Sequence, residues 1–292
     1  MPVTAPVVAE LAPYAALLLG LIVGSFLNVV ILRLPRRMRA ELAEACADQR
    51  GEQSEPLPNR WFGLDYLISP ASSCPHCGHG IRAWENIPVI SYLMLRGRCS
   101  NCQTGISIRY PIVEAVTGLL SLLVVLHFGP NPAAVAAMIL VWGLIALTVI
   151  DLDEQLLPDQ LTLPLMWLGL LVNIDGMFTD LVSAVIGAAA GYLSLWFVFQ
   201  VFRLLTGREG MGYGDFKLLA VFGAFLGWQI LPQIVLLSSL IGALVGMTLV
   251  VVRGRDRQIP IPFGPYLAAA GVVALLWGEE INRGYLQLAG LG

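Results

Sequence analysis

Long apolar runs separated by short polar segments make up most of the chain. Apolar stretches of helical length occur at residues 12–32, 110–128, 133–150, 160–174, 181–202, 218–231, 233–252 and 262–281. A helix needs about 20 mainly apolar residues to cross the hydrocarbon core of a bilayer, with some tolerance on either side. We therefore predict an all-α polytopic membrane protein with about eight transmembrane helices, the fourth and sixth being short by this measure.

The composition agrees with this pattern. Of the 292 residues, 57% are hydrophobic and only 13% are charged, whereas about 25% of the residues in a soluble domain are charged. No basic residue precedes the first apolar run, whereas an acidic residue, Glu10, lies just before it. A cleavable signal peptide begins with a positive segment, so we expect the first helix to stay in the membrane.

The distribution of Lys and Arg residues predicts the orientation of the chain in the membrane. If the spans alternate and the N-terminus lies outside, 16 of the 17 Lys and Arg residues, all except Arg283, lie on the cytosolic side. This is the bias that the positive-inside rule describes. The net charge of −3 says little about partners. We expect membrane lipid around the spans and no nucleic acid partner, and the oligomeric state is left open.

Small residues recur at intervals of four in several of the predicted spans. They are Gly20 and Gly24; Ser183, Gly187 and Gly191; Gly223 and Gly227; and Gly242 and Gly246. This spacing lets helices approach closely in lipid, and packing is the simplest interpretation of it. No internal repeat is evident, which argues against a transporter built from repeats.

The chain is expected to have three parts. Residues 1–32 form the first transmembrane helix, residues 33–109 form a polar cytosolic loop, and residues 110–292 form a helical bundle. Within the loop, residues 40–60 have mixed charge and are expected to be exposed, and residues 70–109 are expected to form a compact module.

The compact module contains two CxxC pairs, Cys74-Pro75-His76-Cys77 and Cys99-Ser100-Asn101-Cys102. Two such pairs can supply four thiolates to one tetrahedral ion, which is the pattern of a structural zinc site. Two disulfides are the alternative, but thiols stay reduced in the cytosol. The zinc interpretation is favoured, with His76 or His79 as a less favoured ligand in place of a cysteine. Cys46 is expected to be an ordinary thiol.

Two aspartates stand at the ends of apolar runs on the predicted cytosolic side. Asp151 directly ends the run 133–150, and Asp215 follows alternating glycines in Gly210-Met211-Gly212-Tyr213-Gly214-Asp215. Acidic residues at this depth are costly and are candidates for function. The nearby Asp153, Glu154 and Asp159 fit a solvated acidic loop equally well.

Asp151 and Asp215 are expected to meet at one site. Two carboxylates that share a site cannot both ionise at low cost, so one keeps its proton. The pair then supplies an acid and a base around one water, as in an aspartic protease. The sequence pattern alone also allows a packing or ion-relay role for these residues.

At these residues the chain resembles the bacterial type IV prepilin peptidases, a leader peptidase/N-methyltransferase family within the GxGD class of intramembrane aspartic proteases. The matching stretches begin at Gly24-Ser25-Phe26-Leu27-Asn28 and Arg33-Leu34-Pro35 and include both CxxC pairs. They continue through Asn86-Ile87-Pro88, Leu95-Arg96-Gly97, Arg109-Tyr110-Pro111, Leu157-Pro158-Asp159 and Gly212-Tyr213-Gly214-Asp215. The resemblance covers nearly the whole chain and places the catalytic aspartates at Asp151 and Asp215.

The resemblance implies a bacterial inner-membrane enzyme with two activities. It would cleave the basic leader of type IV prepilins and type II secretion pseudopilins at the cytosolic face, and then methylate the new N-terminal residue with S-adenosylmethionine. No Gly-rich dinucleotide fingerprint occurs in the loop, so the residues that bind the methyl donor are unknown from the sequence. The loop 33–109 is the expected place for them.

Two other interpretations remain at this point. One is an ion-coupled transporter or channel with the zinc module as a sensor, and the other is a non-catalytic assembly factor. The absence of a repeat and the glycine context of Asp215 count against the first.

Overall fold

The computed structural model describes residues 4–50, 65–208, 211–253 and 262–288. Gly210, in the glycine motif, lies outside these residues. The helices are α1 (Thr4–Arg50), α2 (Asp65–Ile68), α3 (Ile90–Met94), α4 (Arg109–Phe128), α5 (Pro132–Glu154), α6 (Asp159–Val172), α7 (Leu181–Thr206), α8 (Tyr213–Leu226), α9 (Leu231–Arg253) and α10 (Gly264–Leu288). The part of the chain described here contains no β-strand, which confirms the predicted all-α class.

Length and composition identify several of the observed helices as candidate membrane spans. Within the described residues, five segments are long and apolar enough to cross a membrane. They are Ala9–Arg50, Arg109–Phe128, Pro132–Glu154, Leu181–Thr206 and Trp228–Thr248. A shorter apolar helix covers Asp159–Val172. The chain is therefore polytopic, and the total of about eight spans stays a prediction.

The chain divides into two compact units, residues 1–130 and residues 131–292. In the first unit, α1 packs along α4 through the small residues that the spacing indicated. A Cβ atom added to Gly24 would lie 2.7 Å from the Glu114 Cα, and one added to Gly20 would lie 2.8 Å from the Gly118 Cα. Only glycine permits this approach. The boundary between the two units falls after α4. The boundary at residue 109 between the cytosolic loop and the helical bundle stays a prediction.

Helix α1 runs well beyond the predicted end of the first span at residue 32. It continues to Arg50 through Pro35, because the end of an apolar run does not by itself end a helix. An ion pair of 2.6 Å between Arg37 Nε and Glu41 Oε1 joins side chains one turn apart in this polar extension. The predicted exposed segment 40–60 is thus helical up to residue 50, and residues 51–60 lie outside the described part.

The cysteine module of the first unit consists of two short turns. Isolated β-bridges join Ser73 to Gly80 and Arg98 to Gly105, so that each bridge closes the loop around one CxxC pair. Arg33 ties the preceding segment to α1, because its guanidinium donates to the carbonyl oxygens of Tyr66 at 2.9 Å and Pro70 at 2.6 Å. Arg33, at the end of the apolar part of α1, therefore fixes where the module begins.

The second unit is built around α8. Phe216 and residues 218–225 of this helix are almost completely buried. A Cβ at Gly191 of α7 would lie 2.6 Å from the Leu219 carbonyl oxygen. The helix has 14 residues, which gives about 21 Å at 1.5 Å per residue, less than the roughly 30 Å hydrocarbon core. α8 is therefore the buried core of its unit.

The predicted sixth span, 218–231, is wrong in its boundaries. α8 starts five residues earlier, at Tyr213, and ends at Leu226 because Gly227 takes a φ of +82°. The buried Asn173 secures this end, since its Nδ2 donates to the Ala224 and Phe225 carbonyl oxygens at 2.8 and 2.9 Å. The shift places Asp215 inside the first turn of the helix instead of ahead of it.

Candidate active site and metal centre

Asp151 lies in the last turn of α5, and its side chain is directed into the second unit. The residue is only 5% exposed. Its Oδ2 accepts a hydrogen bond of 3.0 Å from the backbone N–H of Gly264, the first residue of α10. Because the free N–H groups of a helix start carry partial positive charge, α10 supplies a polar partner to this carboxylate.

Asp215 lies in the first turn of α8 and is 7% exposed. An acidic side chain in the first turn is stabilised by the helix dipole. The two carboxylates are close enough for Asp151 to act electrostatically on Asp215. Neither forms a salt bridge with any Lys or Arg among residues that the structure describes. Both aspartates are thus buried at helix termini of the same compact unit, near enough to interact electrostatically.

Leu157 holds the backbone around both carboxylates. A Cβ atom added to Gly214 would lie 2.6 Å from the Leu157 Cβ, and one added to Gly264 would lie 3.3 Å from the Leu157 Cδ2. The same added atom at Gly264 would lie 2.6 Å from Asp151 Oδ2. The two glycines are therefore required by close packing beside the acidic pair.

The other acidic residues of this segment lie in different surroundings. Asp153 is exposed. Asp159 starts α6, and both its carboxylate oxygens accept from Lys217 Nζ, at 2.6 and 2.8 Å. This ion pair joins the start of α6 to the first turns of α8. Half of the Asp159 side chain is exposed, so the pair contributes at most about 1 kcal/mol to stability.

The sequence interpretation missed Gly264. It supplies a backbone N–H rather than a side chain, and it lies 113 positions from Asp151. The available signal was the turn dipeptide Gly264-Pro265 just where the last apolar run begins, since proline is favoured in the first turn of a helix.

The four cysteines of the two CxxC pairs form one cluster. All four Sγ atoms lie within 4.8 Å of one another, with 3.7 Å between Cys74 and Cys102 and 4.0 Å between Cys77 and Cys99. A tetrahedral ion with Zn–S bonds of about 2.3 Å would separate its ligands by about 3.8 Å, whereas a disulfide bond is about 2.05 Å long. The cluster thus fits a structural metal ion.

Hydrogen bonding at Cys102 favours the thiolate, the form that binds metal. The Thr104 hydroxyl, with its oxygen 3.2 Å from the Cys102 Sγ, is the main cause that lowers the pKa of this thiol to about 6. Asn101 Nδ2 donates to Cys77 Sγ at 3.6 Å. His76 and His79 are not members of the cluster, and Cys46 is exposed on α1.

Both units match known protein families. Residues 18–128 match the Bacterial Peptidase A24 N-terminal domain, and residues 138–247 match the Type IV leader peptidase family. No solved structure matches the chain.

Curated relatives extend over almost the whole chain, and each is named a prepilin leader peptidase/N-methyltransferase. The protein from Pseudomonas aeruginosa is 55% identical over 274 residues, covering 94% of this chain and 93% of the relative. The one from Aeromonas hydrophila is 55% identical over 269 residues, covering 92% of each. The one from Burkholderia pseudomallei is 51% identical over 284 residues, covering 94% of this chain and 87% of the relative. With these identities along nearly its full length, the chain belongs to the type IV leader peptidase family.

Proposed function

We propose that the chain is a prepilin leader peptidase that also N-methylates the cleaved product. The observation that carries the peptidase assignment is the buried pair Asp151 and Asp215, held by two different helices of one compact unit. The family match and the names of the relatives support the same activity. They do not support the transporter or channel interpretation.

Asp151 and Asp215 would cleave the leader with one water molecule. The ionised carboxylate takes a proton from water, which attacks the scissile carbonyl carbon. The protonated carboxyl gives its proton to the carbonyl oxygen, and a proton then passes to the leaving amine. The low exposure of both residues keeps bulk water away from the pair, which strengthens their electrostatic effect on the substrate.

The four cysteines, Cys74, Cys77, Cys99 and Cys102, would hold one zinc ion with a structural role. Four protein ligands leave no open position for a reacting water, so no catalytic step is assigned to the metal. Its effect is to join the two CxxC turns, which have few buried side chains of their own. S-adenosylmethionine would supply the methyl group when bound.

The substrates that this function implies are prepilins of type IV pili and pseudopilins of type II secretion, each a membrane-anchored helix with a short basic leader. The enzyme would lie in the bacterial inner membrane with its N-terminus outside. In that orientation the cysteine module and the ends of the helices that bear Asp151 and Asp215 face the cytosol, where the leader enters the membrane. This assignment rests on the distribution of the basic residues.

The two activities are expected to be separable, because the aspartates belong to the second unit and the cysteine module to the first. Asp215→Asn should neither cleave nor methylate full-length prepilin, since methylation needs a free amine. It should still methylate a synthetic, already cleaved pilin N-terminus at close to the wild-type rate. The measurement is transfer of labelled methyl from S-adenosylmethionine to that peptide. A folded Asp215→Asn protein that fails to methylate it would show that the two reactions share one site.

Gly264→Ala should impair cleavage although it removes no side-chain chemistry. The added methyl would lie 2.6 Å from the Asp151 Oδ2, so the carboxylate has to move, and a displacement of about 1 Å can lower the rate by about 100-fold. The matched control on the same helix is Gly278→Ala, where the nearest atom would be 3.5 Å away. Leader cleavage by the purified variants is compared on a gel. Equal rates for the two variants would refute a positioning role for Gly264.

A further inference from the structure

A cavity of about 720 Å³ lies within the first unit, beside the cysteine module. It is bounded by α1, the loop that leads to the first CxxC pair, α3 and the beginning of α4. Its lining includes Ser25, Asn28, Tyr66, Tyr92, Tyr110 and Glu114. Pockets that enclose drug-sized ligands measure about 300–1,000 Å³ and combine apolar walls with a few polar groups. The cavity therefore has the size and character of a site for one small organic molecule.

Glu114 is a buried acidic residue in the lining of this cavity. It is 8% exposed, and its Oε2 accepts a hydrogen bond of 2.8 Å from the Val89 backbone N–H. The Ser25 side chain also interacts with its carboxylate. In the described ranges, no Lys, Arg or His forms a salt bridge with Glu114. Because a buried carboxylate without a cationic partner is costly, this position is suited to a positively charged ligand.

The other carboxylate at the cavity is engaged within its own segment. Glu85 Oε2 accepts the Arg82 backbone N–H at 3.0 Å and lies 3.5 Å from the His79 Nε2. The Arg82 hydrogen bond is the main cause that holds the pKa of Glu85 below its ordinary value. Glu85 thus has partners that Glu114 lacks, and Glu114 is the group left to meet a cation.

The backbone next to Glu114 is held in an unusual conformation. Val89 has a φ of 59° and a ψ of −47°, a region that is strained for a β-branched residue. Strain of this kind persists where surrounding contacts over-determine it, and it concentrates at ligand-binding sites. The Val89–Glu114 hydrogen bond is such a contact, and it fixes the carboxylate in one orientation beside the cavity.

We propose that this cavity binds S-adenosylmethionine and that Glu114 faces the positively charged sulfonium group. The inference rests on the methyltransferase activity proposed above and gives that activity a location. Tyr92 and Tyr110 of the lining would offer aromatic rings to the adenine or to the cation, whereas the Tyr66 ring already stacks with the Arg37 guanidinium, 4.6 Å from its centroid.

The reaction at this site balances without a further reactant. The amine nitrogen of the cleaved pilin attacks the methyl carbon, and the new N–C bond forms as the S–C bond breaks. The electron pair of the S–C bond stays on sulfur, which gives S-adenosylhomocysteine. The nitrogen, which now carries a positive charge, releases one proton to water. Glu114 binds and orients in this scheme, and it takes no proton.

The test compares two ligands that differ in charge at sulfur. S-adenosylhomocysteine keeps the adenosine and amino acid groups, but its sulfur is neutral. Full-length protein in detergent is titrated with each ligand by equilibrium dialysis. Glu114→Gln should weaken S-adenosylmethionine binding by about thirtyfold or more, as expected for removal of one partner of a buried charge pair. Binding of S-adenosylhomocysteine should stay within about threefold of wild type. Glu41→Gln, on the polar part of α1 and paired with Arg37, is the matched control and should bind both ligands normally.

Ser25→Leu tests the cavity independently of the charge. Leucine is a good helix former and would add bulk beside Glu114, so both ligands should lose binding together. Zinc content and leader cleavage identify variants that are folded. The inference is overturned if a folded Ser25→Leu protein binds S-adenosylmethionine normally. It is also overturned if Glu114→Gln leaves the binding of both ligands unchanged, or weakens the binding of both ligands by the same factor. Wild-type protein that cleaves prepilin but does not bind S-adenosylmethionine also overturns it and leaves the peptidase assignment intact. Failure of wild type to cleave prepilin would instead contradict the proposed function.

Discussion

Asp151→Asn and Asp215→Asn are each expected to lower leader cleavage by about 10²- to 10⁴-fold, the contribution of a positioned acid or base. Asparagine has nearly the same shape as aspartate and keeps an oxygen that can accept the Gly264 N–H. It cannot take a proton from water or donate one as a carboxylic acid does. The substitution therefore removes the chemistry and retains the packing. Cleavage of a purified prepilin by detergent-solubilised enzyme gives the rate.

Asp153→Asn and Asp159→Asn are the controls for this pair. Asp153 is exposed two residues beyond Asp151 on the same helix, and Asp159 loses only its half-exposed ion pair with Lys217. Both variants should be milder than those of the buried pair. A near-normal rate for Asp151→Asn or Asp215→Asn, in protein shown to be inserted in the membrane, would remove that residue from the mechanism.

The sequence located both acidic residues because each interrupts an apolar pattern. Asp151 ends one apolar run and Asp215 follows a glycine motif ahead of another. A charged group in such a place is visible without knowledge of the fold. The cysteine cluster was also predictable, because the spacing of two CxxC pairs encodes the ligand set of one ion. In both cases the residue types themselves carry the signal.

The neighbours of these residues were not predictable in the same way. The Gly264 N–H meets Asp151 only because α10 begins beside the end of α5, and hydropathy does not say which helices are adjacent. The start of α8 was predicted too late, because the glycines before Asp215 suggest a loop. In the structure Tyr213 and Gly214 belong to the first turn of α8. The cavity around Glu114 depends on how α1, α3, α4 and the loop before the first CxxC pair pack together, and it has no local pattern in the sequence.

Removal of the cysteine cluster is the second change from which we expect a large effect, on metal binding and on the folding of the module. Purified wild-type protein is expected to contain about one zinc ion per chain, bound by four sulfur ligands. Cys74→Ser combined with Cys77→Ser removes two of the four ligands and should abolish metal binding. Zinc contributes about 10–16 kcal/mol to the folding of small zinc modules, so the turns around Cys74 and Cys99 should lose their structure. Elemental analysis and X-ray absorption measure the metal and its ligands.

Loss of the metal should reduce methylation more than cleavage, because the module shares its unit with the cavity of Glu114 and not with Asp151 and Asp215. Cys99→Ser provides a smaller perturbation for this comparison, and both reactions are measured on the same preparation. Cys46→Ser is the matched control, since Cys46 is exposed on α1 and outside the cluster. It should keep its zinc and both activities. Wild-type protein without metal, or with disulfides when purified under reducing conditions, would contradict the zinc site. A Cys99→Ser protein that retains full methylation but loses cleavage would contradict the assignment of the two activities to separate units.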